Sequence, residues 1–388
     1  MIENHTKQDC CGCGACSQIC PRKCIEMKSD EEGFYYPRVD KEACIYCGLC
    51  DSICPILVSK RDESDKAVRQ DAYVAYHLDE TIRLKSSSGG VFTALAENVI
   101  QHGGTVFGAA FDQDFLVHHI GVEDLNSLDK LRGSKYLQSR TEDTYAEAKA
   151  ALNQGRQVLY SGTGCQIAGL KAFLKQDYPN LLTVDILCHG VPSPLLWKRY
   201  LVELEHRYGA KTQQISFRKK DPGWKLFSLS LLFFNSQVYM HTFKEDPYMQ
   251  MFLNNICLRP SCYECKFKAV HSQADITLGD CWGIEEYMPE IDDDKGVSVI
   301  FVHTENGFGA VYRIASSVYS QKADYQSVQQ TMVYESVKQH PHRKKFFMAL
   351  ANGESSSRLY SFIRLRFVER AVRKLENFLR HDSQEGKQ

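Results

Sequence analysis

Several things are missing from this chain, and each absence removes a class of function. No run within its 388 residues approaches the roughly 18 apolar residues that a spanning helix needs, so no transmembrane segment is expected. The opening stretch MIENHTKQDC has no apolar core of the kind an export signal carries. Net charge is nearly absent too. Lys+Arg 47 against Asp+Glu 48 leave -1, so no overall basic field exists to hold a nucleic-acid backbone. The expectation is a soluble cytoplasmic protein with no nucleic-acid partner. At 43% hydrophobic and 24% charged the composition is globular, and the length suffices for two or three cores.

What the chain has in excess is cysteine, 16 residues. Without an export signal the compartment is reducing, which favours metal ligation over disulfides. Cys10, Cys13, Cys16 and Cys20, followed by Pro21, stand at the spacing C-x2-C-x2-C-x3-C-P, and Cys44, Cys47, Cys50 and Cys54, followed by Pro55, repeat it. Two copies mark a bacterial-type di-cluster ferredoxin domain. Three thiolates on a short curled loop cover three corners of a 4Fe-4S cubane, while the fourth, a helical turn further on, ligates the other cluster. Cys10, Cys13, Cys16 and Cys54 are therefore assigned to one cluster, and Cys44, Cys47, Cys50 and Cys20 to the second. Zinc also takes C-x2-C pairs, but it gives no reason for the third close Cys or the trailing Pro. Cys11 and Cys24 fall outside the register and read as small packed residues. Between the copies, Cys24 to Met27 and Phe34 to Pro37 flank a polar turn, a hairpin over the clusters.

The domain organisation read from the sequence is a ferredoxin domain over 1–58, a charged linker over 59–70, a catalytic domain over 71–345 and an amphipathic basic helix over 356–381. From Asp71 strand-like and helix-like segments alternate: strands at 72–77, 105–111, 157–160 and 181–187, helices at 91–101, 144–152, 166–175 and 194–207. Phe227, Leu229, Leu231 and Phe233 then alternate before Asn235-Ser236, and 238–243 returns as an antiparallel partner, which predicts a mixed sheet. The fold class expected is α+β, a di-cluster ferredoxin domain followed by a mixed-sheet α/β domain and a C-terminal helix. That helix sets Phe367, Val368, Ala371, Val372 and Leu375 against Arg366, Arg370, Arg373 and Lys374. Packing is its plain reading, and peripheral contact with anionic lipid or an acidic redox partner is the sharper one.

Two loops have the composition of a ligand site. Ser86-Ser87-Ser88-Gly89-Gly90 runs into an apolar helix face, and Ser161-Gly162-Thr163-Gly164-Cys165 joins a strand to a helix, where open α/β sheets put ligands. Neither is a nucleotide fingerprint of the standard kinds. Cys165, Cys188, Cys262 and Cys265 could converge from three loops. Their spacing leaves four readings open: a third iron-sulfur cluster, zinc with His189, a Cys165/His189 nucleophile pair, or buried thiols.

The strings SSSGGVF, GSKYLQS, SGTGCQIAGLK, CHGVPSP, SCYEC and ADITLGDCWG resemble the coenzyme F-420 hydrogenase/dehydrogenase beta-subunit family over about residues 71–303. The resemblance implies a flavoprotein that binds FAD near a cluster. Carried over residue by residue, Cys165, Cys188, Cys262 and Cys265 match the cluster positions and tip the reading toward a third 4Fe-4S site. Ser88, Gly89, Gly90, Ser134, Lys135 and Tyr136 match stretches expected near FAD, with Gly162 and Thr163 on the second loop. Lys135 is the candidate for stabilising charge on reduced flavin and His189 the candidate proton donor, while Asp280 and Trp282 line the site. Gly164 stands where the family usually has Pro and Cys281 where it commonly has an aromatic; Cys281 and Cys257 are possible competing thiolates.

Clusters exchange one electron at a time and a flavin converts between one and two. The expected function is an FAD and iron-sulfur oxidoreductase that carries electrons from ferredoxin or another redox protein to a small organic acceptor, within polysaccharide biosynthesis. The alternative is an electron-relay beta subunit of a hydrogenase or dehydrogenase complex, serving a deazaflavin coenzyme or a protein partner.

Overall fold

The computed structural model describes residues 2, 5–58, 71–325, 327–328 and 335–363. The predicted linker and most of the predicted C-terminal helix lie outside the described residues; of the latter, Ser356–Ser361 is helical.

The duplicated cysteine motif folds as a duplicated loop. In each copy a glycine follows the second Cys and takes a left-handed conformation, Gly14 at φ 78 and Gly48 at φ 72, to start a short helix, Ala15–Ile19 or Leu49–Ser52. A side chain is strained at that angle, so the tight curl that gathers the thiols depends on glycine. Between the copies β1 (Ile25–Ser29) and β2 (Tyr35–Val39) pair antiparallel, with Ile25 opposite Val39. Asp30 closes their turn, its Oδ1 accepting from the N–H of Glu32 (3.0 Å) and of Phe34 (2.9 Å).

The remainder is built on one eight-stranded sheet. Its strands are β3 (Asp71–His77), β4 (Thr105–Phe111), β5 (Val117–Val122), β6 (Val158–Thr163), β7 (Leu181–Ile186), β11 (Ile276–Asp280), β12 (Ser298–Val302) and β13 (Val318–Ala323), in the order β13-β3-β12-β11-β7-β6-β4-β5. Strands β4, β6, β7 and β11 run parallel, and β5, β12, β3 and β13 each join an antiparallel neighbour. The interior strands read as continuous apolar runs because helices cover both faces; every residue of β12 is buried. On one face the helix Val91–Gln101 packs Val91, Leu95 and Val99 over Val106, Leu159 and Ile300. On the other, Gly164–Leu174 and Thr144–Asn153 bring Ile167, Leu170 and Tyr145.

The sheet is mixed, as expected, but not for the expected reason. The hairpin β9 (Ser228–Phe233) and β10 (Val238–Thr242) pairs with β8 (Thr212–Lys219) in a separate three-stranded antiparallel sheet. Its inward Leu229, Leu231 and Phe233 bury against Trp197, Leu201 and Leu204 of the helix Pro194–Tyr208. Truncating any of these to Ala would cost roughly 2–5 kcal/mol.

The N-terminal module does not hang free of this body. Phe34 is fully buried in the same core as Trp197. Arg343 forks onto Glu32 at 2.8 and 2.5 Å, and the carbonyl of Cys13 accepts from Thr141 Oγ1 and Tyr145 Oη, both at 2.9 Å. Arg259, wholly buried, donates from Nε to the Cys10 carbonyl (2.9 Å), from Nη1 to Gln138 Oε1 (3.0 Å) and from Nη2 to the Tyr35 carbonyl (3.0 Å).

Candidate functional site

The thiols fall into three neighbourhoods. Cys20, Cys44, Cys47 and Cys50 line one cavity of about 80 Å3, which crosses the two motif copies as the fourth-Cys geometry requires. Cys24 lines it too, with its Sγ 3.4 Å from that of Cys20, so the residue read as mere packing faces this cavity. Cys16 lies deeper. Burial first, then the nearby Cys10 and Cys54, push its thiol up, and Cys54 in turn feels Cys10. Cys13 is buried as well. None of the 16 cysteines is in a disulfide.

A third neighbourhood opens at the carboxyl ends of β6, β7 and β11, the end of a parallel sheet where ligands usually sit. There a cavity of about 640 Å3 is lined by Cys165, Cys188, Cys262 and Cys265. Cys165 is in the first turn of the helix Gly164–Leu174, Cys188 follows β7, Cys262 lies within the single-turn helix Pro260–Glu264 and Cys265 directly follows it. Burial, then the neighbouring Cys165 and Cys265, drive the Cys262 thiol up to about 12. Burial, then Cys262 and Cys165, hold the Cys188 thiol well above its ordinary value. Backbone N–H groups are already aimed at sulfur: Val191 at Cys262 (3.5 Å) and Phe267 at Cys265 (3.4 Å). Four thiols held together in this way resist ionising unless a cation compensates them, which is the donor chemistry of a metal cluster. Cys257 and Cys281 are not drawn in. Each is fully buried in an apolar core, the first beside Met249 and the second beside Trp224. Among the described residues no three His, Cys, Asp or Glu side chains close on a single metal ion.

The same cavity collects most of the residues singled out for the cofactor: Ser88, Gly90, Ser134, Lys135, Tyr136, Gly162, Thr163 and His189. Gly89 instead packs on the sheet, where a Cβ would stand 2.5 Å from the Ala75 carbonyl oxygen. The serines do not cap the helix that follows. Its N-cap is Gly90, left-handed at φ 92 with no side-chain cap. Ser87 Oγ accepts from Ser134 N at 2.6 Å and Ser88 Oγ donates to the Val297 carbonyl at 2.9 Å, so these hydroxyls join the two loops to the sheet. Lys135 spends its donors on the carbonyls of Leu131, Arg132 and Gly133 (3.4, 3.2 and 3.0 Å), and burial pulls its pKa down to about 7. His189 Nε2 donates to Asn255 Oδ1 at 2.6 Å. Burial lowers its pKa, with Asn255 working the other way.

Sequence reasoning missed the best-organised polar group on the wall. Arg218 forks onto Asp280 at 2.8 and 2.9 Å and donates to Tyr136 Oη at 3.0 Å. It lies 4.0 Å over the Phe227 ring, while Trp224 donates to Asp280 (2.9 Å) and stacks on Trp282 with centroids 4.6 Å apart. Arg218 Nε is buried and has no hydrogen-bond partner among the described residues. Such an orphan is costly unless a ligand supplies the acceptor. Asp280 and Trp282 were legible in the GD-x-WG string; Arg218 sits on a strand with no motif around it. His119, also missed, bonds Ser139 Oγ (2.7 Å) and the Ser161 carbonyl (3.0 Å), and burial takes its pKa to about 4.

Residues 9–58 match the family model described as 4Fe-4S dicluster domain, and residues 155–327 match the one that describes the C terminus of the coenzyme F420 hydrogenase/dehydrogenase beta subunit. A chain of the xenon-derivatised F420-reducing NiFe hydrogenase complex from Methanosarcina barkeri is similar at 18% identity, over 76% of this chain and 92% of that one, with a TM-score of 0.45. No curated protein matches. Among the described residues no helix is long and apolar enough to cross a membrane. Residues 155–327 therefore carry the C-terminal region of the coenzyme F420 hydrogenase/dehydrogenase beta-subunit family, behind a 4Fe-4S dicluster domain, and the chain is an iron-sulfur electron-transfer protein related to that subunit.

Proposed function

We propose that this chain is the electron-relay subunit of an oxidoreductase complex, taking single electrons at the N-terminal module and passing them to a flavin and then to an organic two-electron carrier of the deazaflavin class. The observation that carries the reading is that four thiols from three loops share one cavity with the loops matched to flavin binding. Eight N-terminal ligands, Cys10, Cys13, Cys16 and Cys54 for one cluster and Cys20, Cys44, Cys47 and Cys50 for the other, and a third set, Cys165, Cys188, Cys262 and Cys265, hold 4Fe-4S clusters in this proposal. When bound, the clusters supply one-electron steps and FAD the exchange between one and two.

The chain's own residues then have distinct tasks. Tyr136, Phe252 and Trp282 give the cavity an aromatic wall, with Tyr136 and Phe252 stacked at 4.9 Å. A volume of about 640 Å3 is within the range of small-molecule and cofactor sites. Arg218, its charge balanced by Asp280, keeps one buried N–H for a ligand acceptor. Lys135, its Nζ committed to three backbone carbonyls, acts on the cavity through the charge it carries while protonated rather than as a hydrogen-bond donor. His189, held at Nε2 by Asn255, can move a proton only at Nδ1.

Anaerobic purification followed by iron, sulfide and flavin analysis tests this. About twelve iron and about one FAD per chain are expected from three 4Fe-4S clusters and one flavin. A colourless, flavin-free protein, or one that carries zinc, refutes the proposal. A purified protein that turns over a small organic substrate with no partner would favour a self-sufficient enzyme over the relay.

A further inference from the structure

The helix Gly164–Leu174 meets thiols at two places. Cys165 stands in its first turn, on the cavity wall. Gly169 follows four residues later, about 6 Å further along the axis and on the same side of the helix. Against Gly169 lies Cys13 of the N-terminal module. A Cβ at this glycine would stand 2.9 Å from the Cys13 Cβ, 3.0 Å from its sulfur and 3.0 Å from the Tyr145 hydroxyl, so an added methyl forces its neighbours to move. Glycine weakens a helix interior relative to alanine, and here the contact explains its presence: bare backbone is the surface on which a module thiol rests. Two further contacts hold the arrangement. Tyr145, fully buried, shares its hydroxyl proton between the carbonyl of Cys13 (2.9 Å) and that of Gln166 (2.8 Å), in the turn between Cys165 and Gly169. Ala168, the residue before the glycine, forms a small apolar core with Ile56 and Phe267, against which Cys54 of the module and Cys165 and Cys265 of the cavity pack. One helical turn thus has a module thiol at one end and a cavity thiol at the other.

We propose that Gly169 is a positioning residue for electron transfer: its missing side chain lets the module cluster that includes Cys13 seat one helical turn from the cavity cluster that includes Cys165. The inference rests on the cluster assignment proposed above. The step it serves is the passage of one electron from the module cluster, which is oxidised, to the cavity cluster, which is reduced, with no bond formed or broken and no proton moved. The rate of such a step falls steeply with separation. A side chain at position 169 that pushes Cys13 away from the helix therefore slows the step while leaving both ligand sets intact. Dithionite, a one-electron reductant, supplies the electron in the test.

The experiment compares the anaerobically purified full chain with Gly169→Ala and Gly169→Val, by iron content and by electron paramagnetic resonance of the dithionite-reduced proteins. Reduced clusters that lie close together split each other's resonances, and Cys188→Ser, which lacks the cavity cluster, identifies the splitting that belongs to the module and cavity pair. Expected are unchanged iron in both glycine variants, a partial loss of that splitting in Gly169→Ala and a larger loss in Gly169→Val, while the splitting between the two module clusters stays as it is. Where Gly169→Val fails to fold, the single methyl of Gly169→Ala carries the test. Full iron with an unchanged splitting in Gly169→Ala overturns the proposal by making the glycine a packing position only. Loss of about four iron in Gly169→Ala overturns it by making position 169 a determinant of ligation rather than of spacing. About eight iron in the unaltered chain is a different failure: it removes the cavity cluster, the reading on which the inference stands.

Discussion

The two thiol-rich regions of this protein are built on opposite plans. In the N-terminal module the thiols are neighbours in sequence, curled together by Gly14 and Gly48, and Cys47 is exposed. Around the cavity the thiols come from three loops whose positions are set by a sheet, a helix start and a single-turn helix. A local set depends on its own ligation for order, because two short helices and a two-stranded hairpin bury little by themselves. A distributed set inherits order from a folded body and should keep its shape when empty.

The largest test of that contrast is metal removal. Stripping iron with a chelator should disorder the module between Cys10 and Cys54 while the eight-stranded sheet persists. Hydrogen exchange would show it: protection lost at Ala15–Ile19 and Leu49–Ser52 and kept in β12 and β7. Single variants sharpen the point. Cys47→Ser and Cys188→Ser are each expected to lose about four iron, but only the first should loosen the module. Equal protection of both regions in the apo protein would break the comparison.

The next effect concerns what joins the regions. Arg259 grips Cys10, Tyr35 and Gln138 from within the cavity side. Arg259→Met removes a buried guanidinium and takes a donor from each of three acceptors, at a cost of roughly 3 kcal/mol in unfolding free energy. A denaturant titration that shows less than about 1 kcal/mol would mean that the module and the body are held chiefly by the apolar contacts of Phe34.

The same difference explains what could be read from the sequence. Adjacent ligands leave a spacing, so the module's thiols and the β1–β2 hairpin were legible from residues alone. Strands β4, β6 and β7 and the helix Val91–Gln101 were legible because each carries its own period and boundary signals. Strands β5, β8, β11, β12 and β13 were not. Their residues are short apolar runs whose pairing is decided by which neighbour the sheet brings alongside, and β9–β10 went to the wrong sheet for that reason. In the site, Asp280 and Trp282 were found through a string, whereas Arg218 and His119 are made functional candidates only by burial and by partners distant in sequence.

The smallest effect is electrostatic and belongs to the cavity. Burial sets the pKa of Lys135 at about 7 against its ordinary value of 10.5. Between those values the unfolded chain holds a proton on this side chain that the folded chain has released, so folding stability rises with pH across that window. The penalty for the charged side chain is fully present below about pH 7 and is relieved as the pH climbs toward 10.5. Lys220, buried among the carbonyls of Arg83, Ser88 and Lys295, is pulled to about 7 by the same cause and contributes a slope of the same sign. Lys135→Met should therefore flatten the rise in part, leaving the share due to Lys220. Urea midpoints measured anaerobically at pH 7 and pH 9.5 check it, and identical slopes in the two proteins would show that Lys135 keeps its proton through contact with solvent. The N-terminal module offers a control within the same molecule: Lys7, paired with Asp30 at 2.7 Å, has its pKa raised and so cannot produce a rise in this window.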